Sequence, residues 1–304
     1  MNDFIYREPL NVGGFIVQPM NQCVDEAHKL SPIVPLYPNI VVEGDLCVLF
    51  GQSGIGKTIF AMQIACHIAK SGKWVLYVDC EMTVRQLGNR YATPNFPSTF
   101  LRAQIDPDHP AKDILKGIEE VAAIKQVDVI FLDNITALGH SLEKGGDAGP
   151  IMDSLNTLKK KYGWTLVVLN HIPKMFSGNV PLSLSAMQGS AKISQLVDDA
   201  IGMAQSRKSS NLVYVKQCKW RNSELTLTDD HVAIFERGLD SLGNLVFTSR
   251  GYASEREHLD SLCGYKEQLK NRVKELKEKG LVQIQIGAEL GITQSMVSRL
   301  LKET

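Results

Sequence analysis

The chain lacks an excess of either charge. Its 304 residues include 33 lysines and arginines and 33 aspartates and glutamates, and the isoelectric point is about 7.0. Proteins that bind polyanions over a whole face usually carry a basic patch large enough to shift the overall balance. Any surface for nucleic acid must therefore be local in this protein.

Long apolar runs and clustered cysteines are also absent from the sequence. No stretch approaches the roughly 20 apolar residues of a membrane-spanning helix, and the first residues contain acids but no apolar core of signal-peptide length. The six cysteines are scattered, with no C-x-x-C pair and no metal-ligand spacing, which argues against a disulfide or zinc framework and suits a reducing compartment. We therefore predict a cytoplasmic protein with no membrane partner.

One glycine-rich segment stands out from this ordinary composition. Residues 51–58 read GQSGIGKT, which fits the phosphate-binding pattern G-x-x-x-x-G-K-[ST]. The glycines let the backbone approach an anion, Lys57 places a charge on the β- and γ-phosphates, and Thr58 offers a hydroxyl to Mg²⁺. The segment predicts nucleotide binding through Gly51, Ser53, Gly54, Ile55, Gly56, Lys57, Thr58 and Ile59.

The flanking segments have the periodicity that such a loop requires. Residues 46–50 form a short apolar run typical of a buried strand, and residues 58–70 have helical periodicity. The phosphates would then lie at a helix N-terminus, where free amides and the helix dipole favour an anion. Strand-like and helix-like segments alternate from residue 40 to about 247, which predicts an α/β fold with a mostly parallel, twisted sheet.

Two further apolar runs are associated with carboxylates. Glu81 follows the run 74–79, and we predict that it orients and polarises the attacking water as the catalytic base. Asp79, still inside that run, is the second candidate, and a solvated loop acid is the alternative interpretation of Glu81. Asp133 ends the run 127–133 and is predicted to hold the Mg²⁺ water shell near Thr58.

Three basic or titratable side chains lie at the ends of later strands. His171 follows the apolar run 165–170 and is placed to sense the γ-phosphate, although a lone histidine is more often structural. Lys219 and Arg221 lie near the end of a strand in the last part of the sheet. They form either a solvated basic face or a trans-acting charge for a neighbour's γ-phosphate, as an arginine finger does.

The C-terminal residues have helix-turn-helix spacing. Gly287 precedes Gly291 by four residues at a predicted turn, and Thr293 would cap a final helix. Residues 264–304 carry 8 basic and 5 acidic residues, which favours DNA mildly over the alternative of a helical cap used for protein contact. The side chains suited to base edges and phosphates are Thr293, Gln294, Ser295, Ser298 and Arg299.

Taken in chain order, these elements resemble RecA-fold ATPases, and more narrowly the RepA branch of hexameric replicative helicases from plasmids and phages. The resemblance covers residues from about 30 to 240 and implies a homo-oligomeric ring, typically a hexamer, with ATP held between subunits. It implies that Lys57 and Thr58 contact the phosphates and the metal, that Glu81 is the catalytic base and that Asp133 holds Mg²⁺. It also implies that His171 and Gln188 act as relays, and that Lys219 and Arg221 are fingers that reach the next subunit.

The resemblance also implies that loops around residues 138–150 and 172–187, with Lys144 and Lys174, track single-stranded DNA in a central channel. Two functions follow. One is a replicative helicase or helicase-like motor of a plasmid, phage or mobile element. The other is an ATP-switched regulatory or loader protein that oligomerises on DNA without unwinding it, which the few basic residues in these loops favour.

The predicted organisation has four parts. An extended lead-in that could contact a neighbouring subunit covers residues 1–39, and a RecA-like ATPase domain covers residues 40–247. A linker covers residues 248–263, and a small all-α helix-turn-helix domain covers residues 264–304.

Overall fold

The computed structural model describes residues 8–106, 108, 113–134, 149–172, 181–187, 190–259, 262–290 and 292–302. The chain forms two compact units, Met1–Val34 and Pro35–Thr304.

The first unit contains regular structure that its proline content did not predict. Strands β1 (Leu10–Val12) and β2 (Phe15–Val17) pair antiparallel, and helix α1 spans Met20–Ala27. Gly13 and Gly14 both adopt positive φ, which is the backbone that a two-residue hairpin turn demands. The prediction of an extended lead-in is therefore wrong for these residues, because the Gly-Gly turn closes a hairpin.

The second unit is built on a nine-stranded sheet. The strands of this unit are β3 (Pro35–Tyr37), β4 (Val41–Val42), β5 (Leu46–Gly51), β6 (Val75–Asp79), β7 (Phe100–Ala103), β8 (Val129–Asp133), β9 (Thr165–His171), β10 (Asp199–Gln205), β11 (Leu212–Lys219), β12 (Val232–Leu239) and β13 (Leu245–Ala253). The order of the nine-stranded sheet is β13-β12-β11-β10-β5-β9-β8-β6-β7, in which the pairs from β10 to β7 run parallel and those from β13 to β10 run antiparallel. This mostly parallel sheet confirms the predicted fold class.

Helices cover both faces of this sheet. Every residue of β5 is buried, because helix α2 (Lys57–Lys70) packs on one face of the sheet and other helices pack on the opposite face. The sequence of β5 is therefore a continuous apolar run rather than an alternating one. The helices around the sheet are α2 (Lys57–Lys70), α3 (Val84–Arg90), α4 (Ile114–Ile124), α5 (Gly149–Tyr162) and α6 (Ser190–Leu196). Thr83 begins α3 with a capping box, and the Asp113 side chain caps α4.

The C-terminal region is all-α, as predicted. Helices α7 (Leu262–Glu278), α8 (Gln283–Leu290) and α9 (Gln294–Lys302) share a small core of their own. A Cβ on Gly287 would lie 2.7 Å from the carbonyl oxygen of Ile292, so glycine permits the close approach of the turn to α8. Among the described residues, none of the helices has the length and apolarity needed to span a membrane.

The predicted linker from residue 248 is wrong over its first part. Strand β13 extends to Ala253 and pairs with β12, and a 3₁₀ turn follows at Glu255–His258. Most of β13 is exposed because it forms the edge of the sheet. Beyond Phe247 its sequence, TSRGYA, therefore has no apolar run from which a strand could be predicted.

Three buried carboxylates gather at the amino ends of β5 and β10, the edge of the sheet opposite Gly51. We call Asp45, Asp198 and Asp199 the acidic socket; each is at most 9% exposed. Burial, together with the charges of Asp199 and Asp198, raises the pKa of Asp45 to about 7, and Lys159 opposes this shift. A proton on Asp45 lets this carboxyl donate a hydrogen bond to the Asp199 carboxylate.

Asp45→Asn should make the protein more stable at neutral and alkaline pH. The pKa of Asp45 in the folded protein, about 7, lies above its unfolded value of 3.8. The contribution of the Asp45 carboxyl to stability is therefore complete below pH 3.8 and is lost as the pH rises through 7. Asparagine keeps one donor and one acceptor but cannot ionise. We expect the free energy of unfolding to rise by about 1–3 kcal/mol at pH 8, with little change at pH 4, in urea titrations. Asp153→Asn, which removes an exposed carboxylate, is the matched control. A pH curve for Asp45→Asn that runs parallel to that of the control would contradict the prediction.

Candidate P-loop nucleotide site

The glycine-rich loop connects the end of β5 to the start of α2. Gly54 and Gly56 have φ values of +82° and +100°, a backbone region that side-chain-bearing residues rarely adopt. A Cβ on Gly51 would lie 2.3 Å from the carbonyl oxygen of Met203 on β10. The glycines therefore form a tight cradle at the N-terminus of α2, where backbone N–H groups suit a phosphate.

Lys57 lies across this cradle. Its Nζ donates to the carbonyl oxygens of Gly51 and Gln52, each at 2.8 Å, and the residue is only 6% exposed. Burial lowers the pKa of Lys57 to about 8, although Asp133 and Glu81 act in the opposite direction. A bound phosphate would offer this partly desolvated charge a stronger partner than two neutral carbonyls.

Asp133 meets the P-loop from the end of β8. Its carboxylate accepts hydrogen bonds from the Thr58 side chain and from the Tyr77 hydroxyl, the latter at 2.7 Å. Burial raises the pKa of Asp133, and the hydrogen bonds from Tyr77 and Thr58 partly offset this. Tyr77, on β6, was missed by sequence reasoning because an aromatic residue within an apolar strand carries no sign of a polar role.

The oxygen donors of Thr58 and Asp133 fit Mg²⁺. In the described part of the chain there is no group of three or more His, Cys, Asp or Glu side chains that could hold a metal ion by itself. Mg²⁺ in nucleotide sites is typically held by one or two protein oxygens together with phosphate oxygens and water. The Thr58–Asp133 pair therefore suits a metal that arrives with a nucleotide.

Glu81, Asn134, His171 and Lys57 form a connected polar network. The Asn134 side-chain nitrogen lies within hydrogen-bond distance of Glu81 Oε1 and is 3.0 Å from His171 Nε2. His171 Nδ1 is 3.3 Å from Lys57 Nζ, and its Nε2 is 3.9 Å from Glu81 Oε1. Glu81 and His171 thus lie together beside Lys57, at the carboxyl ends of β6 and β9.

Burial, followed by the charge of Lys57, lowers the pKa of His171, so the imidazole is neutral at physiological pH. A neutral imidazole has one acceptor nitrogen, yet Lys57 and Asn134 both present N–H donors to this ring. Moving Lys57 onto a phosphate would resolve that competition in favour of Asn134. Sequence reasoning missed Asn134 because a polar residue after a strand carries no distinct signal.

Asp79 is committed to a structural role in the turn that carries Glu81. Its Oδ2 accepts from Arg102 Nε at 2.9 Å and Nη2 at 2.7 Å, and its Oδ1 accepts from the backbone N–H groups of Glu81 and Met82. Asp79 is 2% exposed, whereas the Glu81 side chain is 49% exposed. Glu81 is therefore the more accessible of the two carboxylates that the sequence offered as the base.

The structure does not bring Lys219 and Arg221 to the P-loop of their own chain. Strand β11 runs antiparallel to β10 and pairs Lys219 with Ala200, whereas Gly51 pairs with Met203 at the other end of β10. Both basic residues therefore lie near the amino end of β10, whereas the nucleotide cradle lies near its carboxyl end. Any phosphate that they contact must belong to another molecule.

The remaining candidates lie away from this site or beyond the described chain. Thr293 Oγ1 accepts the backbone N–H of Met296 and so caps α9. Gln294, Ser295 and Arg299 are exposed on α9, and Ser298 is half-buried. Gln188, Lys144 and Lys174 fall outside the described residues, as do most residues of the two predicted channel loops.

The parallel sheet, the glycine cradle and the Lys57–Thr58–Asp133 arrangement define the core of a P-loop ATPase with a RecA-like fold. Residues 18–175, just over half of the chain, match the AAA domain family, and the chain belongs to that family.

Individual relatives match shorter parts of the chain. It is 26% identical over 136 residues to the DNA repair protein RadA of Campylobacter jejuni, covering 44% of this chain and 30% of that protein. It is 26% identical over 150 residues to the DNA repair and recombination protein RadB of Methanosphaera stadtmanae, covering 46% and 64% respectively. The chain thus spans less than two thirds of these curated relatives.

A solved structure supports the same fold. The KaiC-like protein from Pyrococcus horikoshii superposes with a TM-score of 0.54 at 19% identity, covering 71% of this chain and 96% of that one. Similarity at this level of identity shows the fold alone.

Proposed function

We propose that the protein is a Mg²⁺-dependent ATPase that assembles with copies of itself, hydrolyses ATP between subunits and acts on DNA as a helicase-like motor. The observation that carries the assembly is the placement of Lys219 and Arg221 at the sheet edge opposite Gly51. Because the basic residues and the phosphate cradle lie at opposite ends of the strands, such a finger can reach a cradle only on another molecule. A closed ring, such as the hexamer of the RepA-type helicases that the sequence resembles, satisfies every site.

The chemistry at each interface follows from the side chains around the cradle. Lys57 and the loop amides would hold the phosphates, while Thr58 and Asp133 would hold Mg²⁺, which neutralises charge on the phosphate oxygens. Glu81 would orient the attacking water, and Asn134 would hold the Glu81 carboxylate in place and connect it to His171. Arg221, with Lys219, would add positive charge from the next subunit as negative charge develops on the γ-phosphate.

DNA is proposed as the partner on two grounds. The matched curated proteins are named for DNA repair and recombination. Helices α8 and α9 also meet at a tight turn, with Gly287 against Ile292, and α9 exposes polar side chains and Arg299. This geometry is compatible with a recognition helix in a major groove, and we propose residues 264–304 as a helix-turn-helix domain.

The test is steady-state ATP hydrolysis with no DNA, with single-stranded DNA and with duplex, while the particle mass is measured in parallel. A motor should turn over faster with single-stranded DNA, and only under conditions where the particle is larger than one chain. Turnover by a single-chain particle at an undiminished rate would contradict the proposal, because Arg221 could not then contribute.

The α8–α9 geometry also supports a second candidate function. The protein could use ATP to switch its assembly on duplex DNA, as a regulator or loader, without unwinding. Slow hydrolysis that is indifferent to single strands, together with duplex binding gained on adding ATP, would favour this function over the motor.

Arg299→Ala should weaken duplex binding under either function. Arg299 is exposed on α9, and one lost arginine contact to a base or phosphate costs about 1–3 kcal/mol, or roughly 5- to 150-fold in affinity. Fluorescence anisotropy with a labelled duplex at fixed salt measures the change. Lys279→Ala removes an exposed charge just after α7 and should have a much smaller effect; equal affinities for the two variants would remove α9 from the DNA surface.

A further inference from the structure

The end of β11 and the residues just after it are held by contacts with the end of α6 and with the acidic socket. Lys219 Nζ donates to the carbonyl oxygens of Ser194 and Val197, at 2.8 and 2.6 Å, at the end of α6. Arg221 donates its backbone N–H to Asp199 Oδ1 at 3.0 Å and forms an ion pair with Asp198 through Nη1. The end of β11 is thus held in one conformation by charge and hydrogen bonding.

The acidic socket supplies most of these contacts. The Asn222 side chain donates to Asp45, so all three socket carboxylates contact residues 221–222. Asp198 also accepts the backbone N–H of Leu46 at 2.9 Å and pairs with Lys159. Burial alone would raise the pKa of Asp198, but the hydrogen bonds from Lys159, Leu46 and Arg221 outweigh it and lower the pKa, so the carboxylate is charged.

The ion pair between Asp198 and Arg221 joins a buried group to an exposed one. The Asp198 side chain is 2% exposed, whereas the Arg221 side chain is 66% exposed. The Arg221 guanidinium is therefore held on one side by the buried Asp198 carboxylate, while most of the side chain stays exposed to solvent. A long side chain that must reach a transition state loses rotamer freedom on doing so, and an anchor that restricts the side chain beforehand lowers that cost.

We propose that Asp198, with the rest of the acidic socket, is the positioning residue for Arg221 and aims its guanidinium at the nucleotide of the neighbouring subunit. This inference rests on the proposed function, because it assigns a partner to the finger of the same inter-subunit site. Asp198 acts only through Arg221 and touches no nucleotide in its own chain, since it lies at the edge of the sheet opposite Gly51. Its loss should therefore lower kcat at the neighbouring site and leave the KM for ATP unchanged.

Mixed assemblies separate this role from a structural one. Acceptor subunits carry Arg221→Ala, so their own cradle is intact but they offer no finger. Donor subunits carry Lys57→Ala, so their own site is inactive while their finger is intact, and each mixture is checked for joint assembly by mass. The donors compared are Lys57→Ala alone and Lys57→Ala combined with Arg221→Ala, Asp198→Asn, Asp198→Glu or Asp153→Asn.

The donor with Lys57→Ala alone should restore hydrolysis in the acceptor, and the donor that also carries Asp153→Asn should restore it equally. The donor with Arg221→Ala should restore nothing, and the donor with Asp198→Asn should restore at least about tenfold less, because a small misplacement of a catalytic group is costly. Asp198→Glu keeps the charge and the pairing with Lys159 but shifts the anchor by one methylene, so it tests the same point if the asparagine variant fails to assemble.

The outcomes separate a failure of the positioning role of Asp198 from a failure of the proposed inter-subunit ATPase. If the donor with Lys57→Ala alone assembles with the acceptor and restores no activity, the inter-subunit site is wrong and the inference falls with it. If that donor restores activity and the Asp198 variants restore it equally, the proposed function stands and the positioning role of Asp198 is overturned.

Discussion

Replacing Glu81 with glutamine is expected to lower kcat for ATP hydrolysis by about 10²- to 10⁴-fold, the range for loss of a general base. Glu81 is the accessible carboxylate at the end of β6, since Asp79 beside it is occupied by Arg102 and two backbone N–H groups. Glutamine can still accept from Asn134 but cannot take a proton from water. Nucleotide binding should therefore persist while the chemical step is lost.

Single-turnover hydrolysis and titration with a fluorescent ATP analogue separate these two effects. Glu120→Gln makes the same change on the exposed face of α4 and should preserve turnover. Near-normal kcat for Glu81→Gln would show that another group, or the phosphate itself, activates the water. Loss of binding in the variant would instead assign Glu81 to holding the nucleotide.

Lys57→Ala is expected to reduce kcat/KM by about 10³-fold, because it removes a preorganised, buried charge from the phosphate cradle. In the structure this charge is satisfied by the Gly51 and Gln52 carbonyls and is transferable to a phosphate. Unlike Glu81→Gln, the variant should lose both affinity and turnover. Lys116→Ala, which removes an exposed charge on α4, should change neither parameter; ATP titrations and initial rates measure both.

The lowered pKa of Lys57 gives this residue a pH signature. A phosphate binds better to the charged amine, and the free protein loses that charge as the pH rises through about 8. ATP affinity should therefore fall by up to tenfold per pH unit above pH 8. In Lys57→Ala this decline should be absent, and an unchanged decline would assign the titration to another group.

The sequence was most informative where the local backbone can be formed by only one residue type. A backbone that must turn at positive φ and lie against an anion requires glycine, so residues 51–58 could be assigned from their pattern. Strand β5 and helix α2 followed from apolar runs of the right length and period. The order of the strands did not follow, because it depends on pairings between residues far apart in the chain.

The polar partners of the site could not be predicted for the same reason. Asn134, Tyr77 and Arg102 each acquire a role from a residue on another strand, and no local pattern marks them. Arg102 in particular decides between Asp79 and Glu81, which are two residues apart and indistinguishable by type alone. Only the pairing of β6 with β7 brings that arginine to Asp79.

Edge elements were the other source of error. Strand β13 has one neighbour and much exposed surface, so its residues alternate too weakly to be distinguished from a linker. In the hairpin of β1 and β2, every residue is exposed. Burial is what gives strands a readable apolar pattern, and these strands have little of it.

The opposite placement of Gly51 and Arg221 has an arithmetic consequence for assembly. In the proposed assembly, each subunit would lend a finger at one face and receive one at the other, so the contact would be head-to-tail rather than two-fold symmetric. An open row of subunits always leaves its last cradle without a finger, and only closure makes the number of complete sites equal the number of chains. Activity per chain should therefore rise from the first contact, which gives one complete site for two chains, and reach its maximum only when the row closes.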